Sequence, residues 1–212
     1  MCVLGIQYMV LEVGVVPLGK DIYDFSGRDK LGKIGEAVCQ EYLKTWPCVK
    51  NIKNVRSDKE YQKKDIDIVM TLKDEQVVTV EVKTDSYVSG NMFYETISDD
   101  VKNEVGCFEK TEADFIFYYF INPQYRKAYV FNTKYLRDWV HKHKDEFTLK
   151  RVFNYSYCSW GYAFPLDRLE KDLEDSLTIV DLSCVEDIEG FEEEARKFWD
   201  KSKKEKSKNK KV

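Results

Sequence analysis

Two apolar runs divided by a charged break constrain this chain more than any other stretch. The first is Asp65-Ile-Asp-Ile-Val-Met70, the second is Val77-Val-Thr-Val-Glu-Val-Lys83, and Lys73-Asp74-Glu75 falls between them. Strand side chains alternate faces, so Glu81 and Lys83 share one face, roughly 6–7 Å apart along the strand. Val78, Val80 and Val82 make the opposite, apolar face. On the first run Ile66, Ile68 and Met70 line one face and Asp67 the other. A two-residue turn at Asp74-Glu75 pairs Asp67 with Val82 and Ile66 with Lys83, which mixes the faces. A register centred on Asp74 instead pairs Asp67 with Glu81, Ile66 with Val82, Ile68 with Val80 and Met70 with Val78. Because a one-residue slip turns every side chain over, the apolar pattern selects the second register. The expectation is a hairpin with an odd-length connection or a bulge. Burying the valines then gathers two acids and a lysine.

The rest of the composition narrows the chemistry. With 212 residues, 43% of them hydrophobic, the chain can build one substantial core. Its six cysteines, Cys2, Cys39, Cys48, Cys107, Cys158 and Cys184, lie scattered, with no CxxC and no histidine nearby. That spacing argues against zinc or a disulfide framework and for buried thiols in a reducing, cytoplasmic setting. The two histidines, His141 and His143, sit on what reads as a solvated helix end, so if the chain is a catalyst its chemistry is expected to run on carboxylates. The first 18 residues are interrupted by Gln7 and Glu12 and lack a basic leader, which fits neither a membrane span nor a signal peptide.

The net charge of −4 conceals segregation. Residues 167–194 are heavily acidic, and residues 201–211 form a basic tail expected to be disordered. Lys50, Lys53, Arg56, Lys59, Lys63 and Lys64 crowd the stretch before Asp65, where they suit either backbone phosphates or a solubilising loop.

Residues 1–19 read as an N-terminal extension, residues 20–200 as a single domain and residues 201–212 as the tail. Ser26 is placed to cap a helix over residues 27–46, ended by Pro47, with Leu31, Ile34, Val38, Tyr42, Ala37 and Trp46 inward. Gly32, Glu36 and Gln40 recur on another face of that helix, either for close packing or as a solvated stripe. A lysine-rich loop leads to the hairpin. Further strands are expected at 92–97, 115–121, 127–131 and within 152–164, and helices at 133–144 and 185–200. On the third strand Glu95 reads as a further ligand or, preferably, as a plain edge residue. Lys110, Thr111 and Asp114 fit a substrate channel or ordinary capping equally well. Tyr118, Tyr119, Tyr155, Tyr157 and Trp160 suit base stacking if exposed, but their strand spacing favours the core.

A Mg²⁺ site keeps waters and usually takes one or two carboxylates plus substrate phosphate. Asp67 and Glu81 supply them, with Lys83 beside them to neutralise charge or orient water. Asp65 competes with Asp67 for this role, and the spacing and following hydrophobic run favour Asp67. Gly35-Glu36 in the helix, Asp65-Ile-Asp-Ile-Val and Glu81-Val-Lys-Thr84 together resemble the PD-(D/E)XK nuclease superfamily, especially its small resolvase-like endonuclease branch. Ile66 stands where the motif's proline would be.

The resemblance covers residues 32–84 in strict motif terms. It implies an α/β fold with an αβββαβ core, a central mixed sheet flanked by helices, and here a C-terminal helical extension. It also implies metal-dependent hydrolysis of DNA phosphodiester bonds by an endonuclease of phage or mobile-element type, with Mg²⁺ as cofactor and Mn²⁺ able to substitute. Residue by residue, Asp67 and Glu81 become metal ligands, Lys83 the catalytic lysine and Glu36 an outer or water-mediated contact. Lys53, Arg56, Lys63, Lys64 and Lys110 are the expected contacts to duplex or branched DNA, and a homodimer follows from the need to cut two strands. The alternative from another class is a non-catalytic nuclease-fold scaffold that binds nucleic acid or a protein partner.

Overall fold

The computed structural model describes residues 28–85, 88–121, 126–154 and 157–185. The expected N-terminal extension, the docking helix over 185–200 and the basic tail lie outside them, save for Val185. No helix among the described residues is long and apolar enough to cross a membrane.

The first helix, α1 (Arg28–Lys44), runs close to its expected span. Ile34, Val38, Cys39 and Leu43 are its most buried apolar residues, while Leu31, Tyr42 and Trp46 pack at the margin. The stretch read as a lysine-rich loop instead contains a strand, β1 (Val49–Asn54), and a four-residue helix, α2 (Lys59–Gln62). β1 escapes a period-two search because only Val49 and Ile52 turn inward, and a register shift between Val49 and Asn51 interrupts the alternation. Its pairing with the next strand makes it a strand, not its own composition.

The central hairpin forms in the expected register. β2 (Ile68–Leu72) meets β3 (Val77–Asp85) with Ile68 opposite Val80 and Met70 opposite Val78. The connection is Lys73-Asp74-Glu75, an odd number of residues. It is closed by Leu72 N–H donating to Gln76 O at 2.8 Å, with Glu75 in the left-handed region at φ 67°. Ile66 departs from expectation. The ladder ends at Ile68, so Ile66 is not opposite Val82 but packs with Val55 and Ala113 in a small separate cluster.

After β3 the chain leaves the sheet through β4 (Asn91–Asp99), the short β5 (Glu104–Val105) and the four-residue α3 (Cys107–Lys110). It returns as β6 (Phe115–Phe120), parallel to β3. The resemblance implies a helix in this crossover; two strands and a single helical turn occupy it. β7 (Lys127–Asn132) then pairs with β6, and Asn132 caps α4 (Thr133–His143). A second hairpin, β8 (Lys150–Asn154) and β9 (Tyr157–Pro165), leads into α5 (Leu166–Asp172) and β10 (Leu177–Asp181).

The result is an α/β architecture with a mixed six-stranded sheet ordered β1-β2-β3-β6-β7-β10 and a four-stranded sheet ordered β5-β4-β9-β8. Helix α1 covers one face of the larger sheet, over Val80, Val82, Phe117 and Tyr119. The other face carries Ile116, Tyr118, Tyr129 and Phe131 against Met92, Tyr94 and Phe164 of the smaller sheet and Leu136 and Trp139 of α4. Tyr118 and Tyr119 are 1% and 3% exposed, so the core reading of these tyrosines holds and stacking on bases does not.

Candidate functional site

The site forms where β2 peels away from β3. Past the last ladder pair, Asp67 N–H donates to Val80 O at 3.0 Å, and its carboxylate Oδ2 accepts from Val82 N–H at 2.9 Å. On its other side, Val55 N–H donates to Asp67 O at 2.7 Å. The Asp67 side chain thus replaces a missing main-chain rung and is fixed in the plane of the sheet. From there it hydrogen-bonds to the side chain of Glu81.

Burial pushes both carboxyls above their usual range, Glu81 well above it with Asp67 and Asp65 adding repulsion. For Asp67 the Val82 N–H opposes that rise. Two acids in hydrogen-bond contact in a poorly hydrated site share a proton unless a cation replaces it. Asp65, the rival candidate, turns elsewhere: its backbone is left-handed at φ 46°, and its Oδ1 bonds Lys110 Nζ at 2.7 Å. Asp67 is the acid that reaches Glu81.

Glu36 arrives from α1. A Cβ at Gly35 would stand 2.0 Å from Thr84 Oγ1, so only glycine lets the helix lie this close to β3. Glu36 is 5% exposed, with Oε2 accepting from Asn54 Nδ2 at 3.2 Å and Oε1 paired with the Arg56 guanidinium. Burial, then the Asp67 charge, push its carboxyl up to about 7 despite those two partners. Both oxygens of Glu36 are thus engaged by Asn54 and Arg56, and its carboxyl lies close enough to Asp67 for the two charges to repel.

Lys83 lies on the Glu81 face of β3 and points at the smaller sheet. Its Nζ is 3.9 Å from Glu95 Oε2 and is influenced by the nearby Cys107 sulfur. The Cys107 sulfur, Glu95 and Glu81 hold the ammonium above its ordinary value against the pull of burial. Burial also pushes the Cys107 thiol up to about 11, so at neutral pH the sulfur is an uncharged neighbour and the carboxylates keep Lys83 charged. Glu95 is no plain edge residue. β4 carries a register shift between Glu95 and Ile97, a bulge of the kind that re-aims a side chain. Asn54 and Cys107 were missed from sequence: neither lies near Asp67 or Lys83 in the chain, and neither belongs to a motif.

The expected phosphate contacts are mostly engaged with acids. Arg56 pairs with Glu36, Lys110 with Asp65, Lys64 with Glu112 at 3.1 Å and Lys63 with Glu60 at 2.7 Å. Lys53 is exposed on β1. Thr111 and Asp114 are held in hydrogen bonds within the fold: Thr111 Oγ1 donates to Asp65 O and accepts from Ala113 N–H at 3.0 Å, and Asp114 Oδ2 accepts from Thr79 N–H at 2.8 Å. The five described cysteines are free thiols.

Among the described residues no group of three or more histidine, cysteine or acidic side chains forms a ready cation cage. The donor set at the fork is smaller: two carboxylates in mutual contact, Asp67 also accepting from Val82 N–H. All-oxygen ligation with places left for water and phosphate suits Mg²⁺. Comparison with known proteins adds nothing further: no family model matches the chain, and neither a curated protein nor a solved structure matches it.

Proposed function

We propose that the chain is a Mg²⁺-dependent endonuclease that hydrolyses DNA phosphodiester bonds. The observation that carries this reading is the contact between the Asp67 and Glu81 carboxyls at the β2–β3 fork, with Lys83 on the same face of β3. Those two side chains would hold the ion, for which Mn²⁺ would substitute. When bound, such an ion supplies an activated water and a polarised phosphate.

The chain's own groups do the rest. Main-chain N–H of Val82 orients Asp67, Gly35 lets α1 carry Glu36 to the rear of the pair, and Glu95 fixes Lys83. An ammonium held charged by Glu95 and Glu81 acts on charge building at the phosphate and does not take a proton. The finer fold assignment, a PD-(D/E)XK core, draws support from the order α1-β1-β2-β3 followed by a parallel β6.

Purified protein is incubated with supercoiled, linear, single-stranded and four-way-junction DNA, with Mg²⁺, Mn²⁺ or EDTA. Cleavage that needs the ion and is lost in folded Lys83→Ala supports the reading; no cleavage of any substrate by folded protein overturns it. One observation favours the non-catalytic scaffold instead: Arg56, Lys63, Lys64 and Lys110, the cations expected to meet phosphate, are each paired with an acid of the chain. Under that reading DNA or partner binding survives Asp67→Ala and cleavage never occurs.

A further inference from the structure

We propose that Arg56 is the built-in counter-cation of this site, a positioning residue that holds Glu36 beside Asp67 and gives way when a divalent cation enters. The inference rests on the cation site proposed above and adds how that site is guarded.

Three tethers place Arg56. Its own N–H donates to Asn54 Oδ1 at 3.0 Å, Gln62 Nε2 donates to its carbonyl at 2.6 Å, and the preceding Val55 N–H is bonded to Asp67 O. The backbone next to the guanidinium is therefore pinned to the very residue that heads the fork. The side chain then crosses α1 at Gly32, where a Cβ would stand 3.4 Å from its terminal nitrogen, and ends on Glu36. Asn54, two residues earlier, takes the other oxygen of the same carboxylate. The end of β1 and the turn after it thus supply both partners of one buried acid.

The two members of the pair differ in freedom. The Glu36 side chain is 6% exposed and fixed in the packed helix, whereas the Arg56 side chain is 33% exposed. Only the arginine has a route to water. Charge arithmetic explains why it would take that route. Glu36, Asp67 and Glu81 bring three carboxyls together, with Arg56, from the turn after β1, paired to Glu36 and felt at Asp67, and Lys83 felt at Glu81. A divalent ion placed on Asp67 and Glu81 would face the guanidinium at short range in a poorly screened setting, and like charges there repel strongly. The ion also reduces the need for a counter-charge on Glu36. Entry of the ion and retention of the Arg56–Glu36 pair therefore compete.

The test titrates Mg²⁺, and Tb³⁺ as a luminescent probe, into EDTA-stripped full chain by calorimetry and by emission. Wild type, Arg56→Gln and Arg56→Lys are compared, and folding is checked by circular dichroism. Removing the guanidinium is expected to tighten ion binding by about tenfold or more. It should also lower the melting temperature in EDTA, and added Mg²⁺ should recover a larger share of it than in wild type. Arg56→Lys keeps the charge but puts a more mobile ammonium in place of the guanidinium nitrogen on Glu36 Oε1, so it is displaced more readily and should also bind the ion more tightly than wild type. If Arg56→Gln does not fold, Arg56→Lys decides. Equal or weaker ion binding in the folded variants overturns the inference while leaving a cation-dependent nuclease standing. No ion binding by any of the three chains overturns it together with the cation site, and the cleavage assay reports separately on the nuclease reading.

Discussion

Two groups of acids in this protein sit in opposite electrostatic states. At the turn after β4, Asp99 accepts from the N–H groups of Val101 and Lys102 at 2.9 and 3.0 Å. Beside it Asp100 accepts from Cys158 N–H at 2.8 Å and Trp160 Nε1–H at 3.2 Å. These donors, with the Lys102 N–H first for Asp99 and the Cys158 N–H first for Asp100, hold both carboxyls below the ordinary range. At the β2–β3 fork, Glu36, Asp67 and Glu81 are pushed the other way because burial outweighs the donors they receive. The first group ties the smaller sheet together. The second is held at a cost to stability, and strained protonation equilibria of that kind gather at functional sites.

The largest effect that sharpens this contrast is on cleavage. Asp67→Asn or Lys83→Ala is expected to reduce Mg²⁺-dependent DNA cleavage by roughly 10²–10³-fold or more with folding retained, read from initial rates on junction and plasmid substrates. If Asp100→Ala does the same, the division between the two groups fails.

Next comes the response to pH. The folded-state value for Glu36 is about 7 against an ordinary 4.5, so between those values the folded chain holds a proton that the unfolded chain has lost. Stability in EDTA must then fall as pH rises through that window, by on the order of 3 kcal/mol. Urea melts across the window measure it, and Glu36→Gln should flatten the slope. Asp99 and Asp100 work in reverse: their contribution is present above the ordinary carboxylate range and is lost as pH falls below it. A wild-type curve without the fall toward neutral pH would remove the premise that burial dominates at the fork.

A smaller effect tests how the fork is built. Gly35→Ala forces a methyl into Thr84 Oγ1 and should cost about 1–3 kcal/mol by overpacking. Thr84→Ala should return part of that cost in the double variant, a coupling that a double-mutant cycle detects. Smallest is Asp100→Ala, which is expected to lower the melting temperature by a few degrees and leave the cleavage rate unchanged.

The hairpin was legible because its two constraints agree. Alternation at Ile68, Met70, Val78 and Val80 admits one register, and three connecting residues with a left-handed Glu75 satisfy it. That local consistency is enough to bring Asp67, Glu81 and Lys83 onto neighbouring positions. Elsewhere the pattern was mute. β1 is an edge strand with two inward residues, so it has almost no periodic signal. Ile66 continued the alternation in sequence yet lies past the last rung, where the strand has already turned toward Val55. Arg56 read as a phosphate contact because nothing in its neighbourhood says that Glu36, on a helix completed earlier, is waiting for it. Likewise the bulge that aims Glu95 at Lys83 depends on Trp160 and Gly161, whose pairing with β4 no local window contains.

That late pairing has a consequence for synthesis. β4 emerges from the ribosome soon after β3, but its long main-chain partner β9 follows only after β6, β7 and α4 have been made. Contacts so far apart along the chain are the slowest to close. A nascent polypeptide therefore has its carboxylate fork encoded and pairable well before the wall bearing Glu95 is braced, and a chain halted short of residue 157 would keep Asp67, Glu81 and Lys83 while Glu95, the second acid beside that lysine, was not yet held in place.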